Sequence, residues 1–94
     1  MNQAEIEAFA AHARARGFNE VTERRWDPKV TIETHTHLFS VQAVIVQGEM
    51  WLTVGDSTRH LRPGDTFALE RDVPHAERYG VEGATDWVAR RHGG

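Results

Sequence analysis

From residue 17 onward the chain never runs far without a turn signal, and this spacing constrains its fold more than any other feature. Asp27-Pro28, Gly48-Glu49, Gly55-Asp56 and Pro63-Gly64-Asp65 punctuate short runs rich in Val, Thr, Ile, Trp and Phe. Segments 21–26, 30–36, 41–47, 50–54, 58–61, 66–69, 75–79 and 85–91 therefore read as strands, eight in number. Each is too short to bury much surface alone, and none is separated from the next by a helical pattern. That excludes a parallel α/β sheet, which needs crossover helices, and leaves an all-β antiparallel sandwich or closed barrel.

One helix precedes this array, over residues 3–16. Ile6, Phe9, Ala10 and Ala13 form a single apolar stripe, Asn2 suits the N-cap, and Gly17 suits the stop after Arg14 and Arg16. The chain is 94 residues long, enough for one domain and no second core. The expected organisation is a helix over 1–17 packed on a barrel over 18–91, with 92–94 as a flexible tail. A domain this small gains from closure, metal or a partner, because it buries only about 60–65% of its unfolded surface.

Composition narrows the function. The 14 acidic and 11 basic residues give a net charge of -3, and the pairs Arg24-Arg25 and Arg90-Arg91 point to opposite faces of any strand. Nucleic-acid binding is therefore not expected. With no cysteine, thiolate ligands, disulfides and thiol catalysis are excluded together, so any metal must sit on imidazole and oxygen. The longest apolar run, 43–46, is far short of the roughly 20 residues of a membrane span. The N-terminus has neither the basic start nor the apolar stretch of a signal peptide, so the expectation is a cytoplasmic protein.

Three of the six histidines carry the chemical signal. His35 and His37 are two apart in an extended segment, so both rings leave one face of a strand, shared with Thr31 and Glu33. Further on, the turn Pro63-Gly64-Asp65 feeds a strand and is followed by Val73-Pro74-His75. With the stretch from His35 through Gly48-Glu49, these motifs stand in the order and spacing of the cupin superfamily, and residues 21–91 resemble its small single-domain members. The resemblance implies a double-stranded β-helix, or jelly roll, with a metal centre inside it.

Carried over position by position, the resemblance makes His35, His37 and His75 ligands of one divalent transition metal ion: Fe, Mn, Ni, Cu or Zn. Where the family has a glutamate, this chain offers Gln42 at one permitted spacing and Val41 at the other. Gln42 is the fourth candidate ligand, through its amide oxygen. Three neutral imidazoles and an amide leave the ion's charge uncompensated, which favours an anionic small molecule in the site.

Glu77 and Tyr79 follow His75 at a period of two and are the candidate catalytic groups, one as base or orienting carboxylate, the other as donor to a ligand oxygen. Trp51, Phe67, Trp87 and Phe39 suit a small β core, and His12, His60 and His92 suit the surface. The functional expectation is a metal-dependent enzyme acting on a small organic anion, by dioxygenase, isomerase or lyase chemistry. A non-enzymatic binding or sensing module is the alternative, and a metal-free structural barrel comes third. A homodimer is expected, since burial of Ile6 and Phe9 against the chain's own sheet or a neighbour's would add stability.

Overall fold

The computed structural model describes residues 2–92. Helix α1 (Gln3–Ala15) is held at its start by a reciprocal pair: Glu5 N–H donates to Asn2 Oδ1 at 2.9 Å, and the Asn2 N–H donates to Glu5 Oε1 at 3.4 Å. Six antiparallel strands follow: β1 (Glu20–Trp26), β2 (Thr31–His35), β3 (Phe39–Val54), β4 (Ser57–Leu61), β5 (Thr66–Leu69) and β6 (His75–His92). Strand β6 runs to His92, where the tail was expected to begin; the last two residues of that tail lie outside the described residues. No helix among the described residues is long and apolar enough to cross a membrane.

Six strands replace the eight expected because Gly48-Glu49 does not turn the chain and because the stretch between residues 79 and 85 is itself strand. The 41–47 and 50–54 segments are one strand, β3, and the 75–79 and 85–91 segments are one strand, β6. These two long strands pair with each other from Phe39↔His92 to Thr53↔Ala76, through register shifts at 45/47 and 48/50. The bulges bend the ladder without breaking it. One half of the pair carries β1 beside β6 and β5 beside β3; the other carries β2 beside β6 and β4 beside β3. The sheet thus folds over on itself as two four-stranded layers, which is the jelly-roll architecture.

The core lies between the layers and includes Val41, Ala43, Ile45, Met50, Leu52, Leu61, Phe67, Leu69, Tyr79, Ala84 and Val88. Ala13 and Phe18 pack with Ala89 on the outside of the sheet, with Phe9 and Val21 against them, so the helix shields an outer face. Trp51 is not a core residue. It stands half-buried on the outer surface, stacked on His60 at 4.5 Å with the Arg78 guanidinium 4.1 Å above its ring.

Candidate metal centre

Ladder register delivers the first two imidazoles. His35 at the end of β2 lies directly opposite His75 at the start of β6, and their ring centroids are 4.3 Å apart. His37 comes from the short connection to β3, where its carbonyl accepts the Asp72 N–H at 2.9 Å and so ties that connection to the turn preceding His75. Its ring lies 4.8 Å from that of His35 and 4.7 Å from that of His75, and it is stacked on Phe39 at 4.6 Å. The three ring planes are inclined to one another by 56° to 72°.

Backbone carbonyls set the direction in which two of the rings point. His35 Nδ1 lies 2.8 Å from the Glu33 carbonyl oxygen and His75 Nδ1 lies 2.9 Å from that of Val73, so each donates from Nδ1 and keeps its Nε2 lone pair free. One ligand nitrogen from each histidine falls within 4.8 Å of the others, and the Nε2 atoms of His35 and His37 are 3.0 Å apart. Metal–nitrogen bonds of about 2.0–2.1 Å put ligand nitrogens at about this separation. His75 is 2% exposed, and its Nε2 has no hydrogen-bond partner. A buried lone pair without a donor is costly unless a cation takes it, so these residues fit a metal ion. Burial, then the neighbouring His75 and His35, hold the His37 pKa down at about 4, which keeps it in the neutral, ligating form.

Strand parity alone does not describe this site. A bulge between Ile32 and His35 changes the register of β2, so Ile32, expected on the opposite face, lines the same cavity as His35 and His37. Thr31 and Glu33 line an outer groove instead. Gln42 requires a correction. The inward residues of β3 are Val41, Ala43 and Ile45, so Gln42 points outward, where its Oε1 accepts from Arg16 Nη1 of the helix C-cap at 3.1 Å. The structure does not bring it to the histidines.

Glu77 and Tyr79 do reach the cavity, which has a volume of about 150 Å³. Glu77 Oε1 lies 3.9 Å from His75 Nε2, so a carboxylate approaches the cluster from β6 rather than from β3. The Tyr79 ring stacks on Trp26 at 4.6 Å, and burial, followed by the Glu77 charge, pushes its hydroxyl well above the usual phenol range. Phe39, Arg24, Arg90 and Asp86 complete much of the wall.

Asp86 was not singled out from the sequence. It is 3% exposed, and burial raises its carboxyl to about 6, against the opposing pull of the Trp26 indole N–H and with the Glu77 charge adding to the rise. The available signal was its alternation with Ala84 and Val88, which places an acid at an inward position of the last strand.

Comparison with known proteins places the fold in a family. Residues 17–90 match the family model for the AraC-like ligand binding domain. An uncharacterized HTH-type transcriptional regulator of Haemophilus influenzae is 40% identical over 43 residues, which is 46% of this chain and 14% of the regulator. Among solved structures, one from a study of DMSP lyases aligns with a TM-score of 0.71 and 25% identity, over 79% of this chain and 38% of that chain. An RmlC-like cupin from Shewanella frigidimarina aligns with a TM-score of 0.66 and 20% identity, over 78% of this chain and 66% of that one. The chain therefore spans well under half of both the regulator and the DMSP lyase structure.

Proposed function

The chain belongs to the AraC-like ligand-binding domain family, with a cupin fold, and from that premise we propose that it binds a small organic anion at a divalent metal held by His35, His37 and His75. The observation that carries this reading is the convergence of three imidazoles, one with an orphaned buried Nε2, beside a cavity that His35 and His37 line. When bound, the ion supplies Lewis acidity to a ligand oxygen or a site for O₂. Imidazole donors suit Fe, Ni, Cu and Zn, with Mn allowed by the fold.

The chain's own residues then define the chemistry. Tyr79 stays protonated at neutral pH and donates to a ligand oxygen, while Glu77 beside it accepts a proton from the bound anion. Proton transfer of this kind serves lyase and isomerase reactions; dioxygenase chemistry would need O₂ beside the anion. In the second reading the barrel is a ligand-sensing module, favoured by the family match and the HTH-type relative. DNA recognition would then belong to a helix-turn-helix module and not to the barrel. A cytoplasmic setting and a homodimer accompany both readings. Leu38 and Val81, 72% and 71% exposed, offer apolar surface for self-association, and sedimentation at micromolar concentration checks it.

Metal analysis of untagged protein tests the shared premise. About one equivalent is expected in the wild type and almost none in the His35→Ala/His75→Ala double variant; equal content in both would remove the metal centre. Turnover or oxygen uptake over a panel of small acids, lost in Glu77→Gln with anion affinity retained, favours the enzyme. Binding without turnover across that panel favours the sensor.

A further inference from the structure

Two buried polar atoms of opposite character face the cavity away from the histidines. Asp86 lines the cavity, and its Oδ1 has no hydrogen-bond partner. Trp26 lines the same cavity; its buried indole N–H is turned toward the Asp86 carboxyl, which it helps hold in the charged form, yet it closes no hydrogen bond of ordinary geometry to it. The β1–β6 register sets Arg24 opposite Asp86 and Trp26 opposite Ala84, so Asp86 and Trp26 are diagonal neighbours on one inner face. Stacking on Tyr79, 12° from parallel, fixes the indole and therefore the direction of its N–H.

We infer that Asp86 and Trp26 form a hydroxyl-binding subsite, so that the ligand of this barrel is a small hydroxylated carboxylate. The carboxylate half of this statement rests on the reading of the histidine cluster as an anion-binding metal centre. The hydroxyl half follows from donor and acceptor counting. A carboxylate oxygen accepts and an indole N–H only donates, so a group that both donates and accepts satisfies the pair. A hydroxyl seated between them accepts from the indole and donates to Asp86, whereas a methyl group leaves both atoms without a closed hydrogen bond. Size narrows the class further. A cavity of about 150 Å³ holds a molecule of roughly benzene size, about six non-hydrogen atoms, which fits hydroxy acids of three or four carbons.

The test is calorimetry on the zinc-loaded protein with lactate, 3-hydroxypropionate and 4-hydroxybutyrate, each against propionate or butyrate. At least one hydroxy acid should bind about tenfold more tightly than its parent, the scale of two satisfied hydrogen bonds. That ratio should collapse toward one in Asp86→Leu, fall in Trp26→Phe, and survive in part in Asp86→Asn, whose amide oxygen still accepts. The parent acids should change little in all three variants. In parallel, the Trp26 indole N–H resonance, assigned with Trp26→Phe, should move with the hydroxy acid and not with the parent. Equal binding of hydroxy and parent acids by the wild type, or an undiminished ratio in Asp86→Leu, overturns the subsite and leaves the metal reading standing. Failure of every acid to bind overturns the anion reading. Neutral 1,3-propanediol then decides the subsite alone: a Trp26 indole shift that Asp86→Leu abolishes supports it, and no shift overturns it.

Discussion

Burial moves two titratable side chains of the barrel in directions that affect stability oppositely with pH. His37 is held down at about 4, so the folded state resists a proton that the unfolded chain accepts below about 6.5, and stability falls as pH drops through that window. Asp86 is raised to about 6, so the folded state keeps a proton that the unfolded chain releases near 3.8, and stability falls as pH rises through that window. The Asp86 contribution can be isolated, because Asn replaces the carboxyl with a neutral group of the same shape. Asp86→Asn should stabilise the metal-free protein by on the order of 2 kcal/mol at pH 8, with the advantage shrinking steadily toward pH 4. Urea unfolding across that range checks this; a difference independent of pH would show that the side chain acts through packing and not through charge. Sequence motifs pointed to His35, His37 and His75, and the structure brings these three together, with one ligand nitrogen of each within 4.8 Å of the others. The motifs did not reveal Asp86, whose burial depends on which face of β6 turns inward, and they misdirected Gln42, because motif spacing does not say which face of β3 meets the cavity.

At the scale of elements, the architecture depends on β3 and β6 serving both layers, and this rests on a crossing of two glycines. Gly48 and Gly83 both have positive φ, 75° and 74°, at the bend of the β3–β6 ladder. A Cβ on Gly48 would run into the Gly83 carbonyl oxygen, and one on Gly83 would run into the Trp26 carbonyl oxygen. Both obstacles are backbone, so neither can swing aside. Gly48→Ala and Gly83→Ala should each cost about 3 kcal/mol or more, since backbone strain and steric overlap add. Gly55 supplies the control: its φ is 59° but nothing lies within 4 Å of its Cβ position, so Gly55→Ala should cost only about 1 kcal/mol. Denaturant midpoints of the three variants decide it, and equal losses would refute the special role of the crossing. The same glycine explains one of the two extra strands that were expected. Gly48-Glu49 has the composition of a turn, and only the pairing of Gly48 with Ala84 makes it a bend within one strand.

For the whole molecule, the three histidines come from the end of β2, the connection after it and the start of β6. A metal bound there would tie one layer's edge strand to the long strand that both layers share. Because a preformed ligand set is lost on unfolding, that binding energy adds to the stability of the entire domain. At a free metal concentration about one hundred times its Kd the gain is about 2.7 kcal/mol. In a domain of this size each kcal/mol moves the melting temperature by about 4–8 °C, so zinc at pH 7.5 should raise Tm by more than about 10 °C. The sign of the pH dependence follows from the ligands: imidazoles must be neutral to bind, so the shift should shrink as pH falls and protons compete for the three nitrogens. Gln42→Ala should keep the full shift, since its amide oxygen is engaged with Arg16 on the helix side, whereas His75→Ala should lose nearly all of it. Scanning calorimetry of these proteins with and without zinc tests both statements at once. A wild type whose Tm ignores the metal would mean that the orphaned Nε2 of His75 is satisfied in some other way, and an equal shift in His75→Ala would place the ion elsewhere in the molecule.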